Sequence, residues 1–329
     1  MTANSPPRPT LAPVIFILVL GALLPFLLQS GFHMRLAMLI WIYAILSMGF
    51  NLLYGYTGQI SLGQPAFYAI GAYGFAMLQV KLGWGPVPSF IGTLVVCAVV
   101  AVLIGLPLLR LRTHYLAMAT LAFMLIQHGI ANRWIGFTGG QSGIAIVPLQ
   151  WGGETIGRTG LYFVVLGMAA AVLLLHDFLV RSHVGRAMQA IRDDETAAAA
   201  LGVHVVKYKL RILVLSAVIA GVAGVCFTLT SLRVDPSLSE FHVLVSMLTI
   251  VVVGGLGTRF GPILGSVVVV LLPQVLTGFG ELETIVYGAF ILVFLLFLPH
   301  GLSSLIERRD FLAAFKARKP AGTGKEAAE

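Results

Sequence analysis

Apolar residues run through this chain in long continuous blocks separated by short polar steps. Ten blocks are legible, over about 11–28, 36–56, 59–80, 87–109, 114–131, 160–180, 210–231, 241–257, 262–280 and 284–300. Each approaches the roughly 20 residues that a helix needs to cross a hydrocarbon core about 30 Å thick. The apolar positions are continuous rather than alternating, which argues against a transmembrane β-barrel. The pattern therefore predicts an all-α polytopic membrane protein of about ten transmembrane helices, some of them broken or re-entrant. The block 59–80 is the weakest, because Gln59, Gln64, Pro65 and Gln79 interrupt it. Residues 1–10 read as a polar tail, 11–300 as the membrane domain and 301–329 as a second polar tail. The first block, behind Arg8, has the outline of a secretory signal. Its length and the absence of a small-residue cleavage site favour a retained helix.

One long polar interruption stands out, from Arg181 to Arg211. It carries six of the 21 basic residues and the acidic run Asp193, Asp194, Glu195. Ionisable side chains are costly in hydrocarbon, so the segment belongs in water between two membrane halves. Val184, Ala187, Met188 and Ile191 share one helical face at i, i+3, i+4 and i+7. Asp193 or Asp194 is placed to cap a second helix through Glu195 and Ala197–Ala200 to Leu201, closed by Gly202. Two short helices with an alanine face are expected, able to let another protein approach closely.

Composition agrees with the pattern. The chain is 58% hydrophobic and 10% charged, and its mean hydropathy is +0.95. Soluble domains carry about 25% charged residues. The net charge of +8 does not require nucleic acid. With ten spans and the N-terminus inside, sixteen basic residues fall in inside segments and five in outside ones. That satisfies the positive-inside rule and puts both termini and the 181–211 loop in the cytoplasm. Cys97 and Cys226 lie inside apolar blocks and have no metal-site or disulfide spacing. Among the outside loops, 132–160 is long, Gly-rich and holds Trp134 and Trp151. It is expected to be irregular or to contain a short surface helix, either bordering a transport path or partner or serving as a connector.

Two stretches resemble each other. Gly55-Tyr-Thr-Gly58 leads through a polar step to Gly63, Gln64 and Pro65. Gly254-Gly-Leu-Gly257 leads to Gly261 and Pro262. Each sits at a predicted inside turn. Paired Gly/Pro-interrupted segments point to an internally repeated transporter.

The chain as a whole resembles the inner-membrane permeases of branched-chain amino acid ABC importers, in their LivM-like branch. The resemblance rests on Asn51–Gln64, Tyr115–Phe123, Thr138–Ile144, Val184–Glu195 with Ala200-Leu-Gly202, Val253–Gly257 with Gly261-Pro262, and Pro299–Leu302. It implies a transport subunit rather than an enzyme, moving leucine, isoleucine or valine inward across the cell inner membrane. It also implies partners: a second homologous, LivH-like permease, two cytoplasmic ATPase subunits and an extracytoplasmic solute-binding protein. ATP and Mg would be bound on those ATPases, with no cofactor on this chain. Such permeases hold an ATPase-coupling helix at the position of Val184–Val203. The residues assigned there are Gly185, Arg186, Ile191, Asp193, Asp194, Glu195, Ala198 and Gly202. The common E-A-A-x-x-x-G pattern is not matched in its spacing, since Gly202 lies seven residues after Glu195 and Thr196 intervenes. Relatives with a histidine at the Gln64 position lend no histidine role to Gln64. Permeases for urea or short amides look similar and remain the alternative.

The chain has no G-x-x-x-x-G-K-[ST] phosphate loop, so ATP hydrolysis by that route must come from a partner. Two rivals are weaker. Gly140-Gln-Ser142-Gly143 matches a short intramembrane serine-protease motif, which needs a histidine base within reach of the serine. An ion-coupled carrier needs ionisable groups mid-membrane, whereas Asp177, Glu281 and Glu283 fall near span ends. For the translocation path the polar candidates are Asn51, Gln59, Ser61, Gln64, Ser246 and Thr249, led by Gln59 and Gln64. Helix packing also enriches small polar residues.

Overall fold

The computed structural model describes residues 12–27, 30–111, 113–151 and 154–276, together with 288, 289, 292, 294, 298 and 301–303. The blocks fold as helices close to where the apolar pattern puts them. They are α1 (Ala12–Leu27), α2 (Gly31–Phe50), α3 (Gln64–Val80), α4 (Pro86–Leu108), α5 (Thr113–Arg133), α6 (Ile135–Thr138) and α7 (Arg158–Arg181). The polar loop forms α8 (His183–Asp193) and α9 (Glu195–Ala200), and α10 (Val205–Ser231), α11 (Phe241–Gly254) and α12 (Gly261–Leu276) follow. Among the described residues five helices are long and apolar enough to span a membrane: Gly31–Tyr56, Pro86–Leu108, His114–Arg133, Arg158–Arg181 and Val205–Ser231. With the shorter apolar helices α1, α11 and α12, they make a multi-pass membrane protein. Most of the block 284–300 and the tail beyond 303 lie outside the described residues.

Three expectations need correction. The block 59–80 is not one helix: residues 57–63 are non-helical and α3 starts at Gln64, with Pro65 in its first turn. The polar Gln59 and Ser61, followed by Gly63 and Pro65, end the helical run that apolarity alone would continue. The helix of 241–257 stops at Gly254, because Gly255 takes φ +115° and cannot continue it. The fold is also not purely α, since two-residue strands β1 (Ile144–Ala145), β2 (Gln150–Trp151), β3 (Glu154–Thr155) and β4 (Arg233–Val234) pair as β1–β4 and β2–β3, both antiparallel.

The centre of the bundle is the crossing of α3 with α10, flanked by α2 and α4. Glycines set its closeness. A Cβ on Gly71 would lie 2.5 Å from the Cα of Gly221, and one on Gly224 would lie 2.2 Å from the carbonyl oxygen of Tyr68. Small residues at such crossings let backbones approach where lipid offers no hydrophobic drive to association. Helix α1 is tied in as well. Trp41 on α2 donates to the Tyr162 hydroxyl on α7 at 3.0 Å, and Tyr162 donates to the Gly21 carbonyl on α1 at 2.7 Å. By contrast α4 and α5 show broad apolar faces, with Leu103, Met118 and Ile126 all more than 60% exposed.

Segments assigned to the same side of the membrane meet one another. On the predicted outside, Lys81 donates to the carbonyls of Gly136 and Phe137, Arg233 donates to the Ser142 carbonyl, and β1 pairs β4. On the predicted inside, Arg259 and Arg181 both pair with Asp177, and α8 meets the turn after α2.

Candidate functional site

The polar loop folds as two ordered helices. Ser182 caps α8 by accepting from the Val184 N–H at 3.1 Å. Asp194, of the two acidic candidates, caps α9, accepting from Thr196 N–H at 2.7 Å and Ala197 N–H at 3.0 Å. Lys209 at the start of α10 pairs with Glu195, pinning α9 to the following helix. Gly202 closes α9 at φ +86°, a left-handed conformation that glycine adopts without steric cost.

The predicted apolar face of α8 packs inward, with Met188 and Ile191 buried and Val184 and Ala187 half-buried. Gly185, Ile191 and Ala198 are buried within the chain, because each lies on the helix face turned to the bundle. Arg186, Asp193, Asp194, Glu195 and Gly202 are exposed. The most prominent exposed group is one that residue patterns pass over: Leu201, 83% exposed at the end of α9. Its signal is there, as the one large apolar side chain after four alanines, but helical periodicity does not separate it from a core position.

The Asp194 carboxyl is held below its ordinary value of 3.8, first by the Ala197 N–H and then by the Thr196 N–H. A lowered folded value means that the cap is fully present above 3.8 and is lost as the pH falls through the lowered value. The expected result is that amide-exchange protection at Thr196 and Ala197 persists from neutral pH down to about 3.8. Asp194→Ala is expected to lose that protection already at neutral pH.

The two glycine turns come together beneath α8. Helix α2 widens into a π-helical turn over Asn51–Tyr56 before the chain turns at Gly58. Gly58 and Gly257 share φ +68°. Asn51, fully buried, brackets the second turn: its amide donates to the Thr258 carbonyl at 2.9 Å, and its oxygen accepts from the Gly257 N–H at 2.9 Å. A Cβ on Gly55 would lie 2.5 Å from the Gly257 nitrogen, so the two turns touch backbone to backbone. Arg192, from the last turn of α8, donates to the Gly55 carbonyl. Beside this junction His176 is buried against the Tyr56 ring, and Asp177 holds Arg181 and Arg259.

The path candidates fall into distinct settings. Asn51 has both ends of its carboxamide engaged at the junction. Gln64 donates to the Ser216 hydroxyl, which in turn donates to the Gly49 carbonyl at 2.6 Å. The Gln64 oxygen and both ends of the Gln59 carboxamide are buried without a hydrogen-bond partner among the described residues. Ser61 is buried in the same break, while Ser246 and Thr249 on α11 are half-buried. An apolar groove of about 530 Å³ lies between α3, α4 and α5, towards Lys81 and Phe137. Of its lining, Tyr73 and Gln127 each keep a buried side-chain oxygen without a partner among the described residues.

The protease motif does not assemble. Ser142 is exposed in a short 3-10 turn over Gly140–Ser142. Among the described residues no hydrogen bond joins Ser142 to a histidine, and His128 on α5 is engaged by Pro236, Ser239 and Asn132.

Residues 33–298 match the family described as branched-chain amino acid transport system / permease component. The chain belongs to this family. The High-affinity branched-chain amino acid transport system permease protein LivM of Salmonella typhimurium is 32% identical, over 87% of this chain and 73% of that protein. LivM of Escherichia coli K12 is 32% identical, over 88% of this chain and 74% of that one. The LivH permease of the same E. coli strain is 23% identical, over 79% and 90%. No solved structure matches the chain. As a permease component of this family, the chain is a transport subunit rather than a catalytic enzyme. The matched span contains both glycine turns, the loop 181–211 and all six path candidates.

Proposed function

We propose that this chain is the membrane-spanning subunit of an ATP-driven importer, passing leucine, isoleucine and valine inward through the cell inner membrane. The observation that carries this reading is the family match over residues 33–298, coupled to an exposed, doubly capped helical pair in the one long polar loop. A simple connector has no need of two capped helices, nor of a large apolar residue held out at their end. The chain lacks a phosphate loop, so the energy enters from partner ATPases with their ATP and Mg. A second, LivH-like permease completes the membrane part, and an extracytoplasmic binding protein supplies solute selectivity. Both termini and the 181–211 loop then lie in the cytoplasm.

The bundle interior needs only weak, passing contacts with the solute. Gln59 and Gln64, with buried carboxamide atoms left unpartnered beside a helix break, suit that role. Irregular backbone at membrane depth is found where it is buried in protein or lines a cavity.

The test is reconstitution of the four partner chains with this chain in proteoliposomes. Uptake of labelled leucine, isoleucine and valine is expected, dependent on ATP and on the binding protein. Uptake of urea or a short amide with no uptake of leucine would overturn the substrate assignment.

A further inference from the structure

We propose that Arg192 is the latch that joins the ATPase-docking helices to the broken-helix segment of the translocation path. The proposal rests on the coupling reading of the 181–211 loop given above, and goes beyond it by naming the internal link.

The geometry is specific. Helix α8 is held to the bundle by Met188 and Ile191 on its buried face, and Arg192 follows at its C-terminal end. The guanidinium of Arg192 donates to the Gly55 carbonyl, within the π-helical turn. A Cβ on Gly257 would lie 2.7 Å from an Arg192 terminal nitrogen, and one on Gly58 would lie 3.2 Å from Arg192 Cγ. One side chain therefore reaches the turns of both repeated stretches, and it does so only because those positions lack side chains.

From there the connection to the path is short. Gln59 follows Gly58 directly, and its backbone N–H donates to the Leu53 carbonyl inside the π turn at 2.9 Å. Asn51, at the start of the same turn, holds Gly257 and Thr258. A displacement of α8 thus acts on Gly55, and Gly55 sits between the Asn51 bracket and the Gln59 break. Among the described residues the carboxamide of Gln59 has no hydrogen-bond partner. Movement of the break would bring it to the solute without first breaking a side-chain hydrogen bond. An arginine fits the latch better than a lysine, because its planar fork presents several donors at fixed angles. Arg192 is in this scheme a positioning residue, with no contact to the solute required.

The experiment uses the complete complex in proteoliposomes, with uptake and ATP hydrolysis measured together. Arg192→Ala is expected to co-purify with all partners and to keep ATPase stimulation by the binding protein. Its solute uptake per ATP hydrolysed is expected to fall at least tenfold, and Arg192→Lys to recover part of the loss. An unchanged uptake-to-hydrolysis ratio in Arg192→Ala would overturn the proposal. A second readout covers loss of assembly in the alanine variant, using Arg192→Lys there. Ser61→Cys, in a background with Cys97 and Cys226 replaced, reports access to the break by a cytoplasmic maleimide. Labelling is expected to rise during ATP turnover when Arg192 is present, and to respond less or not at all in the Arg192 variants. Labelling that responds to ATP equally in all of them overturns the latch. Failure of the coupling reading itself shows differently: Leu201→Asp would then leave binding-protein-stimulated hydrolysis intact.

Discussion

A Gly224→Val variant is expected to lose the folded bundle. Helices α3 and α10 cross where Gly224 meets the backbone of Tyr68 and Ala72, and where Gly71 meets Gly221. An added Cβ at 224 would stand 2.2 Å from the Tyr68 carbonyl oxygen and 2.6 Å from the Ala72 nitrogen. Both are backbone atoms of α3, so no side chain can swing aside. The helices must separate, and the Gly71–Gly221 approach opens with them. Overpacking of a rigid site costs typically about 1–3 kcal/mol, and this one also opens the contact between the two most extensively packed helices. The measurement is thermal unfolding of the purified, detergent-solubilised protein alongside Gly167→Ala. A methyl group added at Gly167 on α7 would meet none of the described residues within 4 Å, so that alanine variant should melt as the parent does. Gly224→Val is expected to melt many degrees lower or to fail to purify as a single species. Melting within a few degrees of the parent would mean that the crossing is not the centre of the bundle.

How much of this is legible in the residues follows from what each signal measures. Apolar blocks report where a helix can sit in hydrocarbon, and the spans of α2, α4, α5, α7 and α10 lie within a few residues of them. The loop helices are legible for a different reason: capping is local chemistry, and Asp194, Gly202 and the face Val184–Ile191 carry it within a short stretch of chain. Loops that the basic residues assign to one side contact one another.

The failures share a cause, which is that they concern distant contacts or orientation. The break at 57–63 interrupts a block that is only mildly polar, and apolarity does not say which turn will widen into a π turn. The meeting of Gly55 with Gly257 joins residues far apart in the chain. The repeat hints that the two turns are alike, but not that they touch. Asn51 reads in sequence as a polar group on the path, and its hydrogen bonds to Gly257 and Thr258 across the junction have no signal there. Ala197 to Ala200 look alike in sequence, and only the helix orientation shows that Ala198 is buried while the other three are exposed.

Leu201→Asp is expected to silence the importer while leaving the membrane bundle intact. Leu201 is 83% exposed, on the side of the chain that carries Arg181, Arg192 and Arg259, where water rather than lipid is expected. Its position is fixed by Asp194 capping α9 before it and by Gly202 turning the chain after it. A large apolar side chain held rigidly in water gains stability only when something covers it. Burial of a leucine contributes about 1.5–3 kcal/mol, which corresponds to roughly ten- to more than a hundredfold in affinity for the covering surface. Aspartate removes that contribution and adds a charge that the covering pocket must desolvate. Binding-protein-stimulated ATP hydrolysis and solute uptake should therefore fall together, at least tenfold. Co-purification with the second permease, and the melting temperature of the bundle, should hold, since so exposed a side chain contributes little to the packing of the spans. Leu201→Met keeps the apolar volume and should retain most of the activity. The joint fall separates this variant from loss of the Arg192 latch, where hydrolysis survives and uptake does not. Leu201→Asp with normal uptake would show that ATP-driven motion enters the chain somewhere other than α8 and α9.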